Sequence, residues 1–152
     1  MATDGSDGAV PSMSEGVTVT PDLELKLPAR AENVAVIRHA FGGFAEALSV
    51  DEQTLADIKL AVTEACTNVV IHAYENDEEG NLEVDATIAD RRLTVVIRDN
   101  GRGIVPRPDS PGLGLGLPLI ATLAETLELG KDNGDNTEVR MTFRLDEDED
   151  AP

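Results

Sequence analysis

LAVTEACTNVVIHAY, residues 60–74, is the stretch around which the rest of the chain is organised, and its pattern predicts one helix. Glu64, Asn68 and His72 recur in it at every fourth position. Four residues turn a helix by about 400°, so these side chains share one face, while the residues between them are small or apolar and can pack against a sheet. Polar side chains are costly to bury without partners. The stripe is therefore either the solvated face of an amphipathic helix or a base and a metal ligand presented to a pocket.

The composition is that of one globular domain. Hydrophobic residues make up 41% of the 152 residues and aromatic residues only 3%, so the core must consist of Leu, Val, Ile and Ala. No apolar run has the length of a membrane span, and the N-terminus lacks the pattern of a signal peptide. The lone cysteine, Cys66, argues against a disulfide scaffold and fits a reducing cytoplasm. Inside the predicted helix we expect it to be a small hydrophobe rather than a reactive thiol.

The net charge is −18, and it is spread over tails and body. Residues 1–22 contain four acidic residues and no Lys or Arg, and residues 146–150 read DEDED. Such a charge disfavours nucleic acid and anionic membrane surfaces as partners, since both are anionic themselves. A nucleotide ligand remains compatible with it, because helix N-termini, backbone amides and a bound Mg²⁺ can supply local positive potential.

The order of elements predicts one α+β domain. We expect a disordered lead at 1–20, a folded domain at 21–145 and a disordered acidic tail at 146–152. Alternating patterns predict strands at 22–27, 82–89 and 137–145, a more continuous apolar run predicts a central strand at 93–98, and a further strand is expected at 125–129. Apolar spacing predicts helices at 31–48, from a cap at Ser49 or Asp51 through 74, and at 117–127. The Gly- and Pro-rich residues 100–116 are predicted to be a loop. Short connections imply antiparallel pairing, so the expected fold is a two-layer α/β sandwich whose mixed, mostly antiparallel sheet carries three helices on one face.

The sequence DNGRG, residues 99–103, follows the predicted central strand directly. A carboxylate at a strand end, here Asp99, can accept a hydrogen bond from an exocyclic amine such as that of adenine. Gly101 and Gly103 allow the backbone to approach a flat base or a phosphate. The alternative is an ordinary Asp-Asn-Gly turn.

A second glycine-rich motif, GLGLGL at residues 112–117, opens the last predicted helix. Backbone N–H groups at Gly112, Gly114 and Gly116, together with the helix N-terminus, can bind phosphates. The motif is neither a Walker loop, because no Gly-Lys-Ser/Thr follows, nor a convincing dinucleotide fingerprint, because it does not follow a strand directly. The alternative is a flexible hinge.

These motifs in this order resemble the Bergerat-fold (GHKL) ATPases, which include gyrase-type topoisomerases, heat-shock chaperone ATPases, sensor histidine kinases and mismatch-repair ATPases. EACTNVVIHAY, residues 64–74, most resembles the first box of the bacterial anti-sigma-factor serine kinases, and the resemblance extends over residues 22–145. It implies ATP and Mg²⁺ as cofactors. The roles that it implies are general base for Glu64, Mg²⁺ ligand for Asn68, adenine binding for Asp99 and Thr137, base pocket for Gly101 and Gly103, and phosphate lid for Gly112, Gly114 and Gly116.

The resemblance implies an ATP-dependent protein serine kinase of a partner-switching pathway. Such a protein phosphorylates an anti-sigma-factor antagonist and sequesters a sigma factor, and it forms a homodimer, here expected through the first strand and helix. A nucleotide-binding regulatory module with little or no kinase activity is the alternative, favoured by the short segment IVPRPDSP between Gly103 and Gly112. A sensor histidine kinase is disfavoured, because no phospho-acceptor helical hairpin precedes the domain. The roles of His72, Arg102 and Arg107 stay open.

Overall fold

The computed structural model describes residues 20–72, 80–100, 111–131 and 136–145. Within these ranges the chain forms five strands and three helices. In chain order they are β1 (Leu23–Pro28), α1 (Ala31–Ala47), α2 (Glu52–His72), β2 (Asn81–Ala89), β3 (Arg92–Asp99), α3 (Pro111–Leu123), β4 (Thr126–Lys131) and β5 (Thr137–Arg144).

The strands form one sheet in the order β1-β2-β3-β5-β4, and each neighbouring pair is antiparallel. The predicted α+β sandwich is confirmed, although the described strands contain no parallel pair. Asp90 and Arg91 join β2 to β3 with positive φ angles of 53° and 63°. Two consecutive residues with positive φ are what a tight two-residue hairpin turn requires, because its twist matches that of the strands.

The core lies between the sheet and the helices. Alternate residues of each central strand point into it because side chains of a strand alternate between its two faces. The buried apolar residues are Leu82, Val84 and Ala86 of β2, Leu93, Val95 and Ile97 of β3, Val139, Met141 and Phe143 of β5, Ile120 of α3, Val34, Ile37 and Phe41 of α1, and Ile58, Ala61, Val62, Ala65, Cys66 and Val69 of α2. Burial raises the pKa of the Cys66 thiol to about 12, so this thiol stays protonated and serves as a core side chain.

The long helix α2 begins with a side-chain cap. The backbone N–H of Thr54 donates a 2.7 Å hydrogen bond to Oδ1 of Asp51, which satisfies one of the free N–H groups of the first turn. Of the two caps predicted for this helix, Asp51 is the one that forms, while Ser49 has a positive φ of 58°. The helix runs through residues 60–72 of the predicted helical stretch, and residues 73 and 74 lie outside the described ranges.

The prediction for residues 111–127 was wrong at both ends. Helix α3 begins at Pro111 and ends at Leu123, whereas the sequence predicted a loop up to residue 116 and a helix from 117 to 127. A proline is well placed at the first helical position, and packing of α3 against α2 outweighs the cost of helical glycines, about 1 kcal/mol each. The helix ends early because the N–H of Glu125 already bonds to the carbonyl of Thr142 on β5, at 2.7 Å.

No helix within the described ranges combines the length and apolar character needed to cross a membrane. This finding agrees with the absence of a long apolar run in the sequence.

Candidate functional site

Polar side chains lie together at one edge of the sheet, the edge at which β3 ends and its neighbours β2 and β5 begin. At this edge β3 ends with Asp99, which pairs with Leu82 of β2 on one side and with Thr137, the first residue of β5, on the other. Asp99 continues the buried series Leu93, Val95 and Ile97, so the strand alternation directs its side chain to the helix-covered face. Thr137 starts the corresponding buried series of β5.

The C-terminal half of α2 lies toward the same edge. After α2 the described chain resumes at Gly80, whose carbonyl accepts a 2.9 Å hydrogen bond from the N–H of Ala29 at the end of β1. The N-terminal part of α2 is at the opposite edge, where Thr54 lines a cavity of about 230 Å³ together with Phe143. The direction of the helix therefore brings Asn68 to the edge that carries Asp99.

Three polar residues are buried among the described residues, and all three were predicted to belong to the site. The exposed fraction is 4% for Asn68, 3% for Asp99 and 9% for Thr137. Buried polar side chains are uncommon unless they have partners or a function. Their restriction to one end of an otherwise apolar core makes that end the candidate functional site.

The side-chain amide of Asn68 points to a missing partner. Its Nδ2 atom is buried and has no hydrogen-bond partner among the described residues. Leaving a buried donor unsatisfied costs about 1–3 kcal/mol, so such a group is retained where a ligand completes it. The oxygen of the same amide is the kind of ligand that Mg²⁺ accepts, and Mg²⁺ bound to phosphates needs few protein ligands. The residue therefore fits its predicted role toward Mg²⁺.

Glu64 lies one helical turn before Asn68 on the same flank of α2. It is only partly buried, in contrast to Asn68. A carboxylate that adjoins a buried pocket but keeps access to solvent can meet an incoming hydroxyl group and accept its proton. The alternative of a fully solvated stripe is thereby wrong for Asn68, while for Glu64 the geometry is compatible with the predicted base.

Asn100 is a residue of the site edge that the sequence did not single out. Its Oδ1 atom accepts a 3.3 Å hydrogen bond from the backbone N–H of Asn81, the first residue of β2. This bond ties the residue after Asp99 to the neighbouring strand. The motif predicted either a nucleotide-binding strand end or an ordinary turn, and neither assigned a role to Asn100, whose observed bond joins residues that are 19 positions apart.

The start of α3 is directed toward the same edge. Its last residue, Leu123, lines the cavity at the opposite edge, and 13 residues of helix extend over about 20 Å. Gly112, Gly114 and Gly116 lie in its first two turns. The first N–H groups of a helix lack partners within it and attract anions, and the first turn contains no acidic residue. Because α3 begins at Pro111, the N–H of Gly112 is one of these free groups, whereas helix geometry uses those of Gly114 and Gly116 in bonds to carbonyls four residues earlier.

Other predicted site residues lie beyond what the structure describes. Gly101, Gly103, Arg102 and Arg107 fall in the segment 101–110, which is outside the described residues. His72 is the last residue of α2, and its side chain is not among those described. The roles that the resemblance implies for Gly101 and Gly103 stay predictions, and those of His72, Arg102 and Arg107 stay open.

Comparison with known proteins gives the family. The family described as "Histidine kinase-like ATPase domain" matches residues 27–143. The chain is 33% identical over 130 residues to "Anti-sigma F factor" of Clostridium botulinum, and this match covers 78% of this chain and 91% of the relative. It is 35% identical over 127 residues to "Serine-protein kinase RsbW" of Bacillus cereus, and this match covers 74% of this chain and 79% of the relative.

A solved structure supports the fold. The RsbU and RsbW domains of a Mycobacterium tuberculosis protein superpose with a TM-score of 0.66 at 24% identity. The match covers 83% of this chain and 33% of that chain, so the present chain corresponds to about a third of it. With the family match over residues 27–143, these findings confirm the resemblance seen in the motifs, and the chain belongs to the histidine kinase-like ATPase domain family.

Proposed function

We propose that this protein is an ATP- and Mg²⁺-dependent protein serine kinase that acts as an anti-sigma factor and phosphorylates an anti-sigma-factor antagonist. The observation that carries the proposal is the burial of Asn68, Asp99 and Thr137 at one end of an apolar core, with Glu64 beside them. The names of the relatives, an anti-sigma factor and a serine-protein kinase, support the same function.

In this function the sheet edge binds the base of ATP. The carboxylate of Asp99 accepts a hydrogen bond from the exocyclic amine of adenine, and burial strengthens that bond because water does not compete for it. Thr137, paired with Asp99 across the two strands, adds a hydroxyl group to the same pocket. Gly101 and Gly103 allow the backbone to lie against the base.

The helices bind the phosphates and the reacting group. Asn68 offers its amide oxygen to Mg²⁺, which neutralises phosphate charge when bound. The free backbone N–H groups in the first turn of α3, among them that of Gly112, bind phosphate oxygens, while Gly114 and Gly116, the other predicted lid residues, lie farther along the helix. Glu64 accepts the proton of the seryl hydroxyl group. Phosphoryl transfer depends mainly on such positioning and charge neutralisation, so a small set of residues suffices.

The cellular setting is part of the proposal. We place the protein in the cytoplasm, where it sequesters a sigma factor when the antagonist is phosphorylated. We also propose a homodimer formed through β1 and α1. In support, β1 is an edge strand of the described sheet, and Val36 of α1 is 50% exposed although it is apolar.

A regulatory module with little or no kinase activity is the second candidate. The observation that favours it is the short segment between Gly103 and α3, which leaves few residues to close over bound nucleotide. Both candidates require nucleotide binding, and they differ in phosphoryl transfer.

The test combines binding and transfer. Mg-ADP and Mg-ATP are titrated by calorimetry into the wild type and the Glu64→Gln variant, and each protein is then incubated with Mg-ATP and the cognate antagonist. We expect both proteins to bind nucleotide and only the wild type to add phosphate to a serine of the antagonist, as seen by mass spectrometry. Binding without transfer by the wild type selects the second candidate, and a folded wild type that binds neither nucleotide at millimolar concentration rejects both.

A further inference from the structure

The end of β3 is bonded to β2 by side chains on both sides of Asp99. On one side, Nη1 of Arg98 donates a 2.7 Å hydrogen bond to Oδ2 of Asp85. On the other side, Oδ1 of Asn100 accepts a 3.3 Å hydrogen bond from the backbone N–H of Asn81. Asp85 and Asn81 both belong to β2, so the two chain neighbours of Asp99 are held by the same strand.

The bond of Asn100 lies at the position where regular pairing between β2 and β3 ends. The last pair of the register is Leu82 with Asp99, so the next pair along the two strands would be Asn81 with Asn100. Although β3 ends at Asp99, the side chain of Asn100 accepts the N–H of Asn81 beyond that last pair. Contact between the two strands is thereby extended one residue past Asp99.

The residue that follows Asn100 in the sequence does not add rigidity to the end of β3. It is Gly101, and glycine restricts the backbone less than any other residue. Strand ends open more readily than strand centres, and a shift by one residue directs a side chain to the opposite face of the sheet. A bond on the C-terminal side of Asp99 opposes both changes, and the bond of Asn100 is in that place.

The proposed contact with adenine depends on the direction of the Asp99 side chain. A hydrogen bond weakens steeply when its angle departs from linearity, and a binding site works only within about 0.5 Å and 10–20° of its productive geometry. Asp99 is buried, whereas Asn100 is exposed and does not contribute to the core. Exchange of Asn100 therefore leaves the packing of the core intact and changes how firmly Asp99 is held.

We propose that Asn100 is a positioning residue for the nucleotide base. Its bond to Asn81 fixes the end of β3, and with it the direction in which the carboxylate of Asp99 meets the exocyclic amine of adenine. This inference rests on the proposed function, in which Asp99 binds adenine. Asn100 acts through Asp99, so nucleotide affinity depends on whether position 100 offers an acceptor atom to Asn81, and not on the stability of the fold.

The test is the affinity of Asn100→Ala and Asn100→Asp for Mg-ADP, measured by calorimetry in about 0.3 M salt, which screens exposed charges. Alanine removes the acceptor, and we expect the dissociation constant to rise about fivefold, the factor that one neutral hydrogen bond contributes. Aspartate keeps an acceptor oxygen at the same place, so we expect affinity within about twofold of the wild type. In phosphorylation of the antagonist, Asn100→Ala is expected to raise the KM for ATP by the same factor with kcat and the KM for antagonist unchanged.

A second variant removes the same bond from its other end. Asn81→Pro lacks the N–H group that donates to Asn100, and proline is accepted at the first residue of a strand. We expect Asn81→Pro to weaken the binding of Mg-ADP. The double variant Asn81→Pro/Asn100→Ala is expected to bind no more weakly than Asn81→Pro alone, because one bond is lost in both proteins. Losses that add in the double variant would show that the two residues act independently and would overturn the proposal.

The matched control is Asn33→Ala. Nδ2 of Asn33 donates a 2.7 Å hydrogen bond to the carbonyl of Pro28 at the end of β1, so it too forms an exposed bond between an asparagine side chain and the backbone at a strand end. Because this bond does not involve a neighbour of Asp99, we expect Asn33→Ala to bind Mg-ADP as the wild type does.

Three results would overturn the positioning role of Asn100: unchanged affinity of Asn100→Ala, an equal loss in Asn33→Ala, or an Asn100→Asp variant that binds as weakly as Asn100→Ala. In each of them the wild type still binds Mg-ADP, so the proposed nucleotide site stands. A folded wild type that binds no Mg-ADP rejects the proposed function together with the role of Asn100, and that case is recognised from the wild type alone.

Discussion

Asp99 and Thr137 are direct neighbours across β3 and β5, and both side chains are buried on the helix-covered face of the sheet. Opposite residues on one face of an antiparallel pair have Cβ atoms about 4.5–5.5 Å apart. A carboxylate and a hydroxyl group are thereby held side by side where the strands end and the apolar core stops. Since both belong to regular strands, the relative position of the two side chains is fixed by the hydrogen bonds of the sheet rather than by a loop.

The charge of Asp99 is expected to be essential for nucleotide binding. Asp99→Asn exchanges a buried carboxylate acceptor for an amide, and a hydrogen bond to a charged group contributes about 1.5–3 kcal/mol. We expect the affinity for Mg-ADP, measured by calorimetry, to fall about 10- to 100-fold or below detection. The control is Asp90→Asn in the turn at the opposite edge, where Asn tolerates the positive φ. Equal affinity of both variants would contradict the assignment.

The hydroxyl group of Thr137 is expected to matter less than the carboxylate. Thr137→Val keeps a β-branched side chain of similar size in the strand and removes one neutral hydrogen-bonding group, worth about 1 kcal/mol. We expect Mg-ADP to bind about 3- to 10-fold more weakly with unchanged thermal stability. Thr142→Val on the opposite face of β5 is the matched control, since its side chain is directed away from the helices. A loss of affinity in Thr142→Val of the same size would mean that the strand, not the pocket, is responsible.

Asn68 is expected to promote the binding of Mg-ADP while lowering the stability of the nucleotide-free protein. Its buried, unpartnered amide destabilises the nucleotide-free protein, so Asn68→Ala is expected to raise the unfolding free energy by about 1 kcal/mol. The same variant is expected to lose the increase in melting temperature that Mg-ADP gives the wild type, because that increase reports binding to the folded state. Thermal unfolding with and without Mg-ADP checks both effects. Thr67→Ala, at the preceding position, serves as control and is expected to keep the increase in melting temperature on addition of Mg-ADP. If the nucleotide-free Asn68→Ala variant were less stable than the wild type, Asn68 would have a structural role.

Most of the fold could be predicted from local pattern. The alternation in residues 82–89 and the apolar run in residues 93–98 agree with β2 and β3 to within one residue at each end, because the burial of a strand decides which of its side chains are apolar. The candidate site residues Asn68 and Asp99 stood out in the sequence because each is a polar residue in or at the end of an apolar element, whereas Thr137 was predicted from the family resemblance. That these three are the buried polar residues among those that the structure describes is a finding of the structure.

The start of α3 and the contact between α1 and α2 could not be predicted from local sequence pattern. Glycine and proline give weak or contrary local signals, and contacts of α3 with α2 decide that residues 111–116 are helical. Arg38 and Lys59 are 21 positions apart, and only the packing of α1 against α2 brings them to one groove. The bond between Asn100 and Asn81 likewise depends on the pairing of distant strands.

The helix-free face of the sheet is expected to depend on Arg98. Its Nη1 atom donates a 2.7 Å hydrogen bond to Oδ2 of Asp85, and its Nε atom is 3.5 Å from Oε1 of Glu138. Partial burial tends to lower the pKa of the Arg98 guanidinium, but the carboxylates of Asp85, Glu138 and Glu83 outweigh this and raise it. Arg98→Ala leaves both carboxylates without this cation, and we expect a loss of about 2 kcal/mol in urea unfolding. Arg140→Ala, whose contact with Glu138 is 3.8 Å and more exposed, is expected to cost less than about 0.5 kcal/mol; equal losses would contradict the special role of Arg98.

The cap of α2 is expected to make part of the stability depend on pH. The hydrogen bond from the N–H of Thr54 lowers the pKa of Asp51 below its usual value of 3.8. A carboxylate whose pKa is lower in the folded state stabilises the protein above the unfolded pKa and loses this contribution as the pH falls through the folded pKa. Asp51→Ala is therefore expected to lower the melting temperature by a few degrees at neutral pH and by less at about pH 3.

Asp51→Asn is the control, because Asn also caps helices but does not titrate, so it is expected to retain most of the stability at neutral pH. Melting temperatures of the three proteins from about pH 3 to 7 test this, and comparison with the wild type at each pH removes the effect of the large net charge. A constant difference between Asp51→Ala and the wild type over this range would show that the carboxylate of Asp51 does not stabilise the helix through its charge.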